Sequence, residues 1–170
     1  MPQLVRAYIG LGSNLADPQA QVEAAYCALA GLPQTRLLRR SRLYVSAPWG
    51  RLDQPDFINA AAEIETELSP WELMQALLAI ERAHGRTRNG DRWGPRIRDL
   101  DLILYGDRVV DEPGLHVPHP HLHERAFVLQ PLADIAPQID IPGHGPIGRV
   151  LTGVDTSGCR VLESRSKATG

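Results

Sequence analysis

Phe57-Ile-Asn-Ala-Ala-Ala-Glu-Ile-Glu-Thr-Glu-Leu68 reads as a strand, and its two parities decide the fold. Successive side chains of a strand point to opposite faces. Ile58, Ala60, Ala62, Ile64, Thr66 and Leu68 therefore share a core face, and Phe57, Asn59, Glu63, Glu65 and Glu67 share the other. The glutamates predict that this second face is wet over most of its length, with Phe57 and Asn59 at one end.

A second strand repeats the division. In Arg92-Trp-Gly-Pro-Arg-Ile-Arg-Asp99-Leu-Asp-Leu-Ile-Leu104, Leu100, Leu102 and Leu104 alternate with Asp99 and Asp101. The leucines are expected to face the core, and the carboxylates to stand about 6–7 Å apart along the opposite face. Two ionised carboxylates that close must share a proton or a cation. An oxygen-only donor pair on a rigid strand suits Mg²⁺, which keeps waters and substrate phosphate in its shell. Arg82, Arg86, Arg88, Arg92, Arg96 and Arg98 lie just upstream and supply planar forks that match phosphate. Carboxylates and arginines in this density point to phosphoryl transfer rather than to a solvated strand edge. Both strands thus predict a sheet with helices on one side and an open side carrying the site.

Composition narrows the classes. At 170 residues and net charge −2, the chain is expected to form one domain over 1–162 with a disordered tail at 163–170, and no basic field advertises nucleic acid. No apolar run approaches a bilayer span and no signal peptide is evident, so a cytoplasmic protein without membrane contact is expected. Cys27 and Cys159 fit no metal spacing and form no framework. Lys167 is the only lysine, which excludes a Walker-type P-loop.

The remaining elements follow in order. Leu4–Leu11 reads as a first strand, closed by the turn Gly10-Leu-Gly-Ser-Asn14. That turn lacks the third glycine and the acid of a dinucleotide fingerprint. Asp17-Pro18 opens a helix that Gly31 stops. Arg36–Val45 reads as one strand, followed by a loop holding Ser46, Ala47 and Trp49. Ser69-Pro-Trp-Glu72 is a capping box for a helix to His84. Glu81 in its last turn opposes the helix dipole, which pairing with arginine or a nucleotide hydroxyl would justify. His116, His119, His121 and His123 crowd a proline-rich segment. Without a nearby Cys or Glu of ordinary spacing, zinc is disfavoured and a histidine contact to phosphate is favoured. Arg125–Ala133 suggests a short helix, and 134–148 reads as irregular. The order β-α-β-β-α-β is that of a ferredoxin-like α+β sheet.

Arg92-Trp-Gly-Pro-Arg96 with Asp99-Leu-Asp101-Leu closely resembles the signature of the 6-hydroxymethyl-7,8-dihydropterin pyrophosphokinases of folate biosynthesis. Ala7–Leu15, Asp53–Ala60 and Val117–Phe127 match the same family, in order, within a resemblance running from about Val5 to about Leu151. The resemblance implies transfer of the terminal pyrophosphate of ATP to the hydroxymethyl group of a reduced pterin, releasing AMP. Asp99 and Asp101 would hold two Mg²⁺, with Arg86 and Arg96 catalytic beside them. Glu81, Arg86, Arg88, Arg92, Arg96 and Leu102 would meet ATP, and His119 and Arg125 its phosphates. Phe57 and Phe127 would sandwich the pterin and Asn59 would read its amide edge, with Asn14, Ser46, Ala47, Trp49 and Trp93 around it. Asn89 and Pro120 depart from some relatives, which carry lysine and tyrosine there. A monomer acting on small molecules is expected. Two other classes share parts of this pattern: a nucleotidyl transferase with paired aspartates, and an RNA-binding module of the same strand order. The acids on the strands argue against the second.

Overall fold

The computed structural model describes residues 3–13, 18–46, 57–85 and 99–162. The expected tail at 163–170 lies outside them. The main sheet is assembled from β1 (Val5–Ser13), β2 (Thr35–Arg40), β3 (Tyr44–Ser46), β4 (Phe57–Thr66), β5 (Asp99–Tyr105) and a last strand, Cys159–Val161. β4 is its spine. On one side it pairs antiparallel with β1, which in turn pairs with β5; on the other it pairs with β2 and then β3, and the Cys159–Val161 strand closes the edge on β3.

The parity of β4 holds. Ile58, Ala60, Ala62 and Ile64 join Ala7, Ile9 and Leu11 of β1, and Leu100 and Leu102 of β5, in one buried cluster. Two helices cover that face, α1 (Pro18–Ala30) through Val22, Ala25, Tyr26 and Leu29, and α2 (Pro70–Gly85) through Leu73, Leu77 and Ile80. The capping box forms as read: Ser69 N–H donates to Glu72 Oε1 at 2.8 Å, and Glu72 N–H to Ser69 Oγ at 3.1 Å. The expected N-cap of α1, Asp17, lies outside the described residues, and Gly31 closes that helix with N–H bonds to Cys27 and Ala28 carbonyls. Among the described residues no helix is long and apolar enough to cross a membrane.

The second face departs from its reading. It is open over only part of its extent, because α3 (Ala126–Ile135) and α4 (Ile147–Thr152) roof the rest. Tyr8, Ala61, Ile103 and Leu104 of the sheet pack there on Leu129, Leu132, Ile135 and Ile147. Leu104 was expected beside Leu100 and Leu102. A β-bulge explains the change: Tyr8 pairs with Leu104 and Ile9 with Leu102, so Ile103 is an extra residue and the parity of β5 inverts after it. Glu63, expected to be wet, is 3% exposed under this roof. Tyr8 donates its hydroxyl to Glu63 Oε2 at 2.6 Å, and Arg39 and Arg6 stand 3.6 and 3.8 Å from the carboxylate. Burial, and then the hydrogen bond and charge of Glu63, push the Tyr8 phenol well above its ordinary range.

The single strand expected over Arg36–Val45 is broken at Ser41, which bonds Ala61 through both its backbone N–H and its Oγ. Residues after the break clamp the far end of α3. Asp134, in the helix's last turn, accepts from the backbone N–H of Arg42 at 3.0 Å, from its guanidinium at 2.9 and 3.1 Å, and from the Tyr44 hydroxyl at 2.8 Å. An acid at a helix C-terminus opposes the dipole, and Arg42 offsets that. The segment after α3, expected to be irregular, folds into a two-stranded ribbon, Asp140–Ile141 with Gly145–Pro146, ahead of α4.

Burial works against ionisation of Asp134, but the Arg42 and Tyr44 hydrogen bonds outweigh it and hold the carboxyl below its usual range. A depressed folded-state value gives stability that is present above about pH 4 and lost as pH falls through that value. Asp134→Asn should therefore lower unfolding free energy at pH 7 by about 1–3 kcal/mol, and the gap from wild type should close in acid. Urea unfolding at pH 7 and pH 3 checks both parts, and an equally large gap at pH 3 would remove the charge from the account.

Candidate active site

The open part of the second face is the floor of a cleft of ≈ 1150 Å³, and the pairing of the strands sets what lines it. Gly10 pairs with Asp101 and Gly12 with both Asp99 and Asn59, which places these positions side by side across three strands. On the far side, Ser46 pairs with Phe57 and with Cys159. Asn59 is only 6% exposed, and its Nδ2 donates to Ser46 Oγ at 2.8 Å. Gly12 makes room for that amide, since a Cβ there would stand 3.1 Å from Asn59 Oδ1. The wall opposite comes from the start of α3, with Arg125 and Phe127 lining the cleft and the Arg125 guanidinium 5.7 Å from the Phe127 ring centre.

Asp101 stands at the end of the cleft where burial desolvates its carboxyl and pushes it above the ordinary value, while the Arg125 charge pulls it down. A carboxylate in that position gains most from a cation. The side chain of Asp99 lies outside the described residues, and among those described no three His, Cys, Asp or Glu converge as a metal centre. The histidines contact other side chains of the described residues. His116 Nδ1 meets Asp111 at 2.8 Å, His121 Nδ1 meets Glu124 at 3.0 Å, and His123 stacks on His144 with centroids 4.3 Å apart. His119 is held by its backbone, whose N–H donates to the carbonyl of the bulged Ile103 at 3.0 Å. Its Nδ1 accepts from His121 N–H at 3.2 Å.

A second, smaller cleft of ≈ 290 Å³ opens on the α2 side of β5. Met74, Leu77, Leu78, Leu100, Leu102 and Leu115 make it apolar, and Glu81 borders it. Glu81 also ties the helix to the strand, its Oε2 accepting from Leu100 N–H at 2.7 Å. That bond supplies a reason for an acid in the last turn which the sequence did not show. Asp101 and His119 line both clefts.

Of the residues singled out by sequence, Ser46, Phe57, Asn59, Asp101, His119, Arg125 and Phe127 come together in the larger cleft, and Glu81 and Leu102 in the smaller. Asn14, Ala47, Trp49, Arg86, Arg88, Arg92, Trp93 and Arg96 lie outside the described residues. Sequence reading missed the wall made by Val154, Asp155, Ser157, Gly158 and Cys159. Its only signal was the short apolar run that ends the chain's last strand, and nothing local says which strand that run will pair.

The fold is of the ferredoxin-like α+β class, with a cleft on its open face lined by Asp101, His119 and Arg125. Comparison with known proteins gives the particular family. Residues 8–137 match the family model of 7,8-dihydro-6-hydroxymethylpterin-pyrophosphokinase (HPPK). The chain is 52% identical over 157 residues to the 2-amino-4-hydroxy-6-hydroxymethyldihydropteridine pyrophosphokinase of Pseudomonas aeruginosa, covering 92% of this chain and 96% of that one. Against the enzyme of the same name from Bacillus subtilis, identity is 42% over 134 residues, covering 79% and 80%. A crystal structure of Plasmodium falciparum HPPK-DHPS shares the fold at TM-score 0.70 and 13% identity, over 89% of this chain and 44% of that one, so the chain spans less than half of that protein's length. The chain belongs to the 7,8-dihydro-6-hydroxymethylpterin-pyrophosphokinase family.

The two cysteines differ in a way that labelling can read. Cys27 is exposed, whereas Cys159 is buried in the cleft wall and burial pushes its thiol up to about 11. Thiolate is the reacting form. At pH 8, a thiol reagent should modify Cys27 alone in the folded protein and both after denaturation, with peptide mass spectrometry locating the labels.

Proposed function

We propose that the chain transfers pyrophosphate from ATP to 6-hydroxymethyl-7,8-dihydropterin, the reaction its family is named for, and that its two clefts divide the substrates. The observation that carries this division is the sharing of Asp101 and His119 between an apolar cleft and a larger, mixed one. The adenine base enters the smaller cleft among Met74, Leu77, Leu78 and Leu102, with Glu81 at its border. The pterin enters the larger one, stacked between Phe57 and Phe127 with Asn59 at its amide edge. A flat heteroaromatic between two rings is favourable in stacked geometry. The hydroxymethyl oxygen and the β-phosphorus then meet where the clefts join. The oxygen attacks that phosphorus and gives up its proton to solvent, the bond from the phosphorus to the α–β bridging oxygen breaks, and AMP leaves with that oxygen.

The donor set fits divalent cations: a desolvated carboxylate at Asp101, and Asp99 two residues away on the same strand. Two Mg²⁺ held there would neutralise the triphosphate. Arg125 and His119 bring positive charge and a phosphate contact, and Arg86, Arg88, Arg92 and Arg96 add forks from the preceding segment. Asn14, Ser46, Ala47, Trp49 and Trp93 surround the pterin. Positioning and charge neutralisation carry the rate. The protein acts as a cytoplasmic monomer on small molecules, without nucleic acid.

Mass spectrometry of a mixture with Mg-ATP and the pterin tests the reaction. AMP and pterin pyrophosphate are expected, whereas free pyrophosphate would indicate nucleotidyl transfer instead. Asp101→Ala should lower turnover by roughly a thousandfold with folding intact, and near-normal turnover would sink the metal assignment. Phe57→Ala or Phe127→Ala should weaken pterin binding by about 1–3 kcal/mol and leave an ATP analogue nearly unaffected. Equal weakening of both ligands would make the ring a packing residue only.

A further inference from the structure

α3 carries two site residues at its first turn and is anchored at its last. Phe127 is the second residue of the helix, and Asp134 lies one short of its end. Rising about 1.5 Å per residue, the helix separates them by roughly 10 Å, so the anchor cannot touch a ligand on Phe127. One residue reaches toward both. Tyr44 is 4% exposed, its hydroxyl bonds Asp134 Oδ1 at 2.8 Å, and its ring belongs to a small cluster with Ala126 and Cys159 against which Phe127 packs. On its other side, Tyr44 is paired with Asn59 on β4.

We propose that Tyr44 is a positioning residue for the pterin site, setting the place of Phe127 through its hydrogen bond to Asp134 and its ring contact with the start of α3. The proposal rests on the reading of Phe127 as a stacking residue. Its physical basis is the leverage of a rigid helix. A helix held only by apolar contacts can slide along the sheet, since such contacts are non-directional. The Tyr44–Asp134 bond is directional, and Arg42 fixes the carboxylate that receives it with bonds to both oxygens. Translation of α3 along its axis would therefore break the bond. The same translation would move Phe127 relative to Phe57, which lies on the sheet and does not follow.

Burial, and after it the bond and charge of Asp134, push the Tyr44 phenol up to about 12, so it remains a donor throughout the working range. The latch does not switch with pH near neutrality.

A double-mutant cycle tests the idea. Tyr44→Phe removes the hydroxyl and keeps the ring. Dissociation constants are measured by calorimetry for the pterin in the presence of Mg and a non-hydrolysable ATP analogue, and for the analogue alone. Tyr44→Phe should weaken pterin binding by about tenfold while the analogue changes less than about twofold, because misplacing a stacking group costs only the ligand that stacks. In a Phe127→Ala background, Tyr44→Phe should have no further effect on the pterin, the signature of action through Phe127. Asp134→Ala, which removes the acceptor, should repeat the Tyr44→Phe pattern. Unchanged pterin affinity in a less stable Tyr44→Phe protein would overturn the proposal and leave Tyr44 as packing. Additive losses in the two backgrounds would overturn it as well, since Tyr44 would then act by another route. If Phe127→Ala itself leaves pterin affinity intact, the stacking assignment fails, and that outcome is separable because it appears in the single variant.

Discussion

One extra residue in β5 reconciles two demands that a regular strand cannot meet. Before Ile103, the strand must turn Asp101 toward the open face while Leu100 and Leu102 fill the core under α1 and α2. After it, Leu104 must face the opposite way, because α3 and α4 bring their own apolar stripe to that side. Pairing of Tyr8 with Leu104 and of Ile9 with Leu102 shows where parity inverts. A bulge leaves one residue unpaired in its strand. Here the carbonyl of that residue, Ile103, accepts from His119 N–H. The irregularity thus supplies a bond that fastens a phosphate-contact candidate beside Asp101, at the junction of both clefts.

Legibility followed the range of the forces involved. The core parity of β4 and the Ser69–Glu72 box depend on neighbours within a few residues, and both formed as read. Phe57, Asn59, Asp101, His119, Arg125 and Phe127 gathered because family motifs mark positions whose distances are set by the whole sheet. What failed was the inference from side-chain polarity to solvent. Glu63 has the sequence context of a wet glutamate, but Tyr8 and two arginines arrive from other strands and let it be buried. The break at Ser41 escaped for a related reason: its hydroxyl takes the place of a strand partner for Ala61 N–H, and serine in a strand-like run announces nothing of the kind.

Buried Glu63 and half-buried Asp101, both on the sheet's second face, meet desolvation differently. Glu63 accepts from Tyr8 and has Arg6 and Arg39 within ion-pair distance, all from this chain, while its Oε1 has no hydrogen-bond partner among the described residues. For Asp101 the only compensating charge resolved from the described residues is that of Arg125, and burial still raises its carboxyl. A group left in that condition binds a cation more tightly than an exposed one would, because neutralisation also relieves the desolvation. Glu63 on β4 and Asp101 on β5 are separated by β1, opposite Tyr8 and Gly10 respectively.

The partial roof also separates this fold from the RNA-binding modules that share its strand order. Those modules leave the outer face of the sheet free to stack bases. Here α3 lies across that face through Leu129, Leu132 and Ile135, and what remains open is a bounded cleft rather than a platform. A bounded cleft selects a ligand by its outline, as an open platform does not. The helix that closes the platform is the same one that brings Phe127 and Arg125 to its rim. Closure of the platform and delivery of Phe127 and Arg125 to the cleft are therefore one structural event.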